Sequence, residues 1–323
     1  MTAVQVRRPA AYLVAAAALS LLTLLLPEAA PAAVPPPSAP TTEAPPPAAA
    51  APACIQIRGS LRPEGPLPPP GALPPDSAMA IIAGRGRLIA GVDQGSYRLG
   101  YRNPLSGELE GADIDLVRRI AAAIFGDPNR VQFVVLDIAD RAAAIADGQV
   151  DIVVNAFTVT CARQRTVEFS APYMAVSQRV LVPAGSGVRE VEDLAGRRVC
   201  TSRGSTTEDV LRALPLRLNV VALRGLPDCV LELQRGRVAA ISSDDVVLAG
   251  LAAQDPQTVV VGRPLSADLY AVGISPTSPE LVRFVNAVLE RARADGSLAA
   301  SFRFWFGDYV NPPPRPPPAR YRD

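Results

Sequence analysis

The chain contains no histidine, and all 32 of its basic residues are arginine, so lysine is missing as well. The lack of histidine bears on function, because it removes the usual general base and the commonest metal ligand. The lack of lysine is read as a trait of composition rather than of chemistry. Charge of either sign is sparse: charged residues make up 20% of the chain and the net charge is +1. No electrostatic footprint for nucleic acid or an anionic membrane follows from such a balance. Cysteines number only 4, and none stands in a CxxC pair. Without that spacing and without histidine, neither a metal site nor a cofactor is expected.

What is present begins with an export pattern. Arg7 and Arg8 precede an apolar run at 10–26, and Ala30-Pro31-Ala32 supplies small residues before a cleavage point. Residues 1–32 therefore read as a signal peptide. A retained anchor is the alternative, although 17 residues diluted by Ser20 and Thr23 sit near the lower limit for a spanning helix. The first cysteine is Cys54, so no lipid-anchoring cysteine follows the run. The expected location is the outer face of the cytoplasmic membrane or the medium. In an exported chain an even cysteine count suggests two disulfides, with three possible pairings. Cys200 lies in the strand-like "RRVCTS" and Cys229 near the start of the helix-like "PDCVLELQRG". A strand and the start of a nearby crossover helix can meet, so Cys200–Cys229 is expected, leaving Cys54–Cys161.

The 323 residues are long for one domain and comfortable for two. Residues 33–79 form a Pro/Ala-rich linker whose later part, 54–76, is expected to lie as a strap on the folded body. Residues 309–323 are a Pro-rich tail, expected to be solvated rather than docked in an aromatic groove. Between them strands and helices alternate. Strands are expected at 87–93, 131–137, 150–156 and 177–184, with helices at 113–126 and 139–148. The pattern restarts after 185, with strands at 197–204, 218–223 and 237–244 and helices at 206–214, 226–236 and 245–254. A strand at 269–275 and a long helix at 278–296 close the series. Such alternation predicts parallel α/β sheets, and the restart predicts two similar lobes.

The pieces "RGRLIAGVD", "SGELEGADIDLVRRIAAAI", "DGQVDIVV" and "TVTCARQRTVEFSAPY" follow one another, and then "DLAGRRVCTSRGSTTE", "LQRGRVAAISSDD" and "ADGSLAASFRFWFG". In order and spacing, residues 80–308 resemble the family 3 extracellular solute-binding proteins, the polar amino-acid capture proteins of ABC importers. Within that family they are most similar to actinobacterial glutamine/glutamate-binding proteins. The resemblance implies an α/β, two-lobed periplasmic-binding-protein-like fold, each lobe a mostly parallel sheet flanked by helices. Lobe 1 would comprise 80–180 and 268–308, lobe 2 would comprise 181–267, and "SQRVLVP" and "DLYAVGIS" would be the two crossover strands. Ile138 stands where the family often has Phe, Ser96 where it often has Tyr, and no lipobox is present.

An amino acid carries an ammonium and a carboxylate on one carbon, and both need partners once water is excluded. A guanidinium grips a carboxylate with two parallel bonds. The resemblance implies that Arg163 holds the α-carboxylate, assisted by Thr158 and the backbone near Ala156. On the residues alone, without the surrounding motif, Arg163 reads as a surface arginine capping a helix. Arg165 is expected to be solvated or paired with Glu168. The family pattern gives the ligand ammonium to Asp244, which could instead cap the following helix. Thr206 opens a helix whose free N–H groups suit an anion. Arg141, ten residues before Asp151, would take the side-chain carboxylate of an acidic amino acid, or else lie on a solvated helix face. Asp93 would orient Arg141 or Arg203, or meet a cationic ligand.

The reading that follows is a monomeric, non-enzymatic binder of glutamate or aspartate, or of glutamine, that delivers its ligand to an importer's membrane permease. A second is an amino-acid sensor signalling through a membrane partner. A third, ranked far below, is a dehydratase-type enzyme on the same fold.

Overall fold

A computed structural model of the chain describes residues 57–310 and 312–322. The signal segment, the spacer at 33–53 and Cys54, with its expected bond to Cys161, lie outside them.

Two five-stranded sheets carry the two lobes. The first runs in the order Val131–Val135, Leu88–Val92, Ile152–Val153, Gly273–Ile274, Glu168–Phe169. Leu88–Val92 is parallel to both neighbours, and Gly273–Ile274 is antiparallel to both of its own. The second runs Asn219–Leu223, Arg198–Ser202, Ala240–Asp244, Gln178–Pro183, Thr258–Val261. Its first three strands are parallel, and Gln178–Pro183 is antiparallel to the strands flanking it.

The local sequence explains these elements. Leu88, Ala90 and Val92 alternate along the strand and are wholly buried, so the face they share is fully covered. The Ala112–Phe125 helix buries Ile114, Leu116, Val117, Ile120, Ala121 and Ile124 and ends at Gly126, whose φ of 74° is left-handed. It starts at Gly111, where φ is 127° and an added Cβ would stand 2.3 Å from the Leu99 carbonyl oxygen, so only glycine fits. The long helix expected at 278–296 is Pro279–Ala294, and a further helix, Ser297–Phe306, follows after Gly296. Cys200 and Cys229, both fully buried, form the expected disulfide with a Cα separation of 5.6 Å.

The structure departs from expectation in two places. The chain passes between the sheets through Met174–Val176 and Asp268–Tyr270, which pair antiparallel. The "SQRVLVP" segment is instead an interior strand of the second sheet. Val180, Leu181 and Val182 are all buried there, and a run buried on both faces belongs inside a sheet rather than at a hinge. The tail is not solvated at its end, because Tyr321–Arg322 pairs parallel with Ser60–Leu61. Arg322 anchors the pair through two bonds to Glu168, at 3.0 and 2.9 Å.

Candidate functional site

The carboxyl ends of the parallel strands in both sheets face one cavity of ≈ 450 Å³, the usual place for a ligand in open α/β sheets. Asp93 follows the Leu88–Val92 strand, Asp137 follows Val131–Val135, Arg224 follows Asn219–Leu223, and Asp244 ends Ala240–Asp244. Asp93, Asp137, Asp140, Asp228 and Asp244 line the space, with only Arg141 and Arg224 as counter-charges in its wall. Arg224 and Asp137 pair across the cleft.

Asp244 is 6% exposed. The Tyr270 hydroxyl donates to its Oδ2, while its buried Oδ1 has no hydrogen-bond partner among the described residues. Burial pushes the carboxyl up to about 7, against the downward pull of the Tyr270 bond. Although Asp244 stands at the N-cap position of the Asp245–Gln254 helix, its side chain makes no capping bond. The capping alternative is therefore not what the side chain does; Asp245 serves its own helix instead, accepting from the Val246 N–H at 2.8 Å.

Opposite, the Thr206–Ala213 helix begins at the cavity, capped by Ser205, whose Oγ accepts from the Glu208 N–H at 3.1 Å. Thr206 thus occupies the first helical position, and its hydroxyl lies 3.5 Å from that of Thr158 across the cleft. The first-turn amides of a helix have no intrahelical partner and favour an anion.

Arg163 sits behind this point and is not part of the cavity wall. Its Nη1 donates to the Thr158 carbonyl at 2.8 Å and its Nη2 to the Gly204 carbonyl at 3.3 Å, so it ties the lobes together. Arg141 does line the cavity but is only 2% exposed, which excludes the solvated helix face. Its Nε donates to the Ile138 carbonyl at 2.9 Å, and its Nη1 to those of Asn155 and Ala156 at 2.7 and 3.0 Å. Its Nη2 has no hydrogen-bond partner among the described residues. The guanidinium carbon lies 4.4 Å from the centre of the Phe157 ring, and burial, with the charge of Arg163 second, brings its pKa down to about 9.

Three expectations need correction. Ala156, at φ 43°, has no free backbone group for a ligand: its N–H donates to Asp113 Oδ2 at 2.9 Å and its carbonyl accepts from Arg141. Arg203 is exposed, lies outside the cavity wall and reaches the Ala222 carbonyl at 3.4 Å, because it follows the last residue of its strand on the outer side. Asp93 orients neither arginine. Its oxygens accept from the Gln94 and Gly95 N–H groups and the Ser96 hydroxyl, at 2.7, 3.2 and 2.5 Å, and its charge reaches Arg141 only through space. Arg165 is exposed, and Glu168 pairs with Arg322 instead.

Sequence reading missed Asp113, Tyr173 and Tyr270. Asp113 is fully buried, accepts from Ala156 and from the Tyr173 hydroxyl at 2.8 Å, and is pushed up to about 7 by burial. The available signal was an acidic residue on the apolar side of a helix, in "GADIDLVRRI". Among the described residues no group of three or more His, Cys, Asp or Glu side chains is placed to hold a metal ion, and no helix is long and apolar enough to cross a membrane.

Comparison with known proteins adds the following. Residues 88–308 match the family described as bacterial extracellular solute-binding proteins, family 3. Over 228 residues the chain is 28% identical to the ABC transporter glutamine-binding protein GlnH of Bacillus subtilis (strain 168), covering 70% of this chain and 84% of that protein. Over 225 residues it is 28% identical to the glutamate-binding protein GluB of Corynebacterium efficiens, covering 66% of this chain and 76% of that protein. A solved structure of the cysteine-binding protein from Campylobacter jejuni superposes with a TM-score of 0.69 at 26% identity, over 72% of this chain and 94% of that one.

Proposed function

We propose, for a chain that belongs to the bacterial extracellular solute-binding proteins, family 3, the capture of a free amino acid between its lobes and its delivery to the membrane permease of an ABC importer. The family is one of solute-binding proteins, not of enzymes. One observation carries the reading: Asp244 presents a buried, unpartnered carboxylate oxygen at the cavity. Such an oxygen is costly unless a donor arrives, and an α-ammonium is a donor of the right charge. The α-carboxylate then lies toward the start of the Thr206–Ala213 helix, beside the Thr158 and Thr206 hydroxyls, with Arg163 behind.

The cavity wall supports an uncharged side chain over an acidic one. Five carboxylates face two guanidiniums there, and three of the nitrogen–carbonyl bonds around Arg141 are already made. A second ligand carboxylate adds to that excess. Such a wall suits a neutral or a cationic side chain, and of these glutamine is taken as the first candidate, in keeping with the name of the Bacillus relative. The glutamate or aspartate reading keeps one observation in its favour, the unengaged Nη2 of Arg141 at the cavity.

Calorimetry of the exported domain against the twenty amino acids tests both. Glutamine is expected to bind most tightly, and glutamate more tightly than glutamine would restore the acidic reading. Ligand at 100-fold excess over Kd should stabilise the domain by about 2.7 kcal/mol. If no amino acid binds or stabilises the domain, the function proposed here is wrong.

A further inference from the structure

Residues 57–62 and 312–322 lie outside the region matched by the family, yet Arg58 of the first segment bonds to the turn that carries Arg163, and Arg322 of the second bonds to Glu168 just after it. That turn, Arg163–Arg165, has the buried Gln164 at its centre. Gln164 makes three bonds to one residue of the strap. Its Oε1 accepts from the Arg58 N–H at 2.8 Å, its Nε2 donates to the Arg58 carbonyl at 2.8 Å, and its own carbonyl accepts from Arg58 Nη2 at 2.5 Å. The side-chain amide therefore pairs with Arg58 as a neighbouring strand would.

The strap is itself held. Ser60–Leu61 pairs with Tyr321–Arg322, and Arg322 Nη1 donates to the Gly59 carbonyl at 2.6 Å. A Cβ on Gly59 would stand 2.8 Å from the Tyr321 backbone, so the two segments meet at a distance only glycine allows. The Ser60 hydroxyl donates to the Phe169 carbonyl at 2.7 Å, and the buried Asn286 donates to Ser60 Oγ and the Leu61 carbonyl at 2.7 and 2.6 Å. The clasp thus grips the chain at Gln164, Glu168 and Phe169, from the turn to the strand that follows it.

On the other side of the same turn Arg163 reaches the carbonyl of Gly204 in the second lobe. We infer that Arg58 and Gln164 are positioning residues: the clasp fixes the Arg163–Arg165 turn from behind and so sets the guanidinium that ties the lobes closed. Neither residue lines the cavity, and their effect passes through Arg163. The inference rests on the proposed ligand capture only for its affinity readout.

The test uses the exported chain, with its strap and tail, carrying Arg58→Ala or Gln164→Ala. Leu194→Ala serves as a control that loses stability in the core of the second lobe, away from the cavity wall. Small-angle scattering of the ligand-free protein reads lobe separation whether or not an amino acid binds. Both clasp variants are expected to have a larger radius of gyration than the wild type, and the control is not. Calorimetry with glutamine is expected to show Kd raised about tenfold in the clasp variants, at unchanged ligand ranking, and unchanged in the control. A merely structural clasp would lower Tm in the clasp variants while leaving scattering and Kd as in the wild type, and that result overturns the inference. Absence of glutamine binding in the wild type counts against the ligand reading, and the scattering comparison still decides the clasp.

Discussion

Arg163, carried by the first lobe, donates to the carbonyl of Gly204 in the second at 3.3 Å while its other terminal nitrogen holds the Thr158 carbonyl at 2.8 Å. One side chain therefore spans the cleft directly behind the start of the Thr206–Ala213 helix. Arg163→Ala removes both the tie and the positive charge behind the ligand carboxylate. Kd is expected to rise about 100-fold, within the range for truncating one partner of a buried charged contact. Calorimetry for affinity and circular dichroism for fold check this. Near-wild-type affinity would remove Arg163 from the ligand machinery.

With Asp244 as the proposed partner of the ligand ammonium, binding is expected to depend on pH. The Asp244 carboxyl is pushed up to about 7 by burial. A bound ammonium favours the charged form and pulls that value down, so binding at pH 6 releases a proton. Affinity is expected to be level above about pH 8 and to fall toward tenfold per pH unit below about 7. Asp244→Asn should bind weakly at every pH and lose the slope. Calorimetry in two buffers of different ionisation enthalpy measures the released proton directly.

Asp113 does the same for stability. Its folded-state pKa, about 7, is raised above the ordinary carboxylate value. Its contribution is therefore fully present below about pH 4 and is lost as pH rises through about 7. Asp113→Asn keeps an acceptor for Tyr173 and removes the titration. The variant's Tm, measured between pH 5 and 8, is expected to vary less with pH than that of the wild type. An identical pH dependence in the two proteins would assign it elsewhere.

Arg141→Met is expected to unsettle the fold before it changes any ligand preference. The arginine satisfies the carbonyls of Ile138, Asn155 and Ala156 from a buried position. Leaving these groups without a donor costs on the order of 3 kcal/mol or more. Chemical denaturation measures the loss. A variant as stable as the wild type would show that water replaces the guanidinium.

The elements most legible in the sequence were those whose signals are local. Gly126 ended its helix because only a left-handed residue fits there, and Cys200 met Cys229 because a strand and the helix packed on it share that side. The role of Arg141 was not legible, because a guanidinium reaching a ligand and one reaching backbone carbonyls look alike in a string of letters. Tyr270 was missed for a related reason. It sits in an apolar run, and its hydroxyl matters only because the crossing strand carries it to Asp244 from a distant part of the chain. The pairing of Tyr321–Arg322 with Ser60–Leu61 joins segments separated by the whole domain, and no periodicity reports such a contact.

The acidic wall of the cleft has a mechanical consequence. Asp93 and Asp140 of one lobe face Asp228 and Asp244 of the other, while Asp137 is held by Arg224 across the cleft. Like charges drawn together in a space that excludes water repel more strongly than they do in the open. The Arg163–Gly204 and Arg224–Asp137 ties work against that repulsion, and the ammonium of a captured amino acid, on the reading proposed above, would add a counter-ion to the same side of the balance.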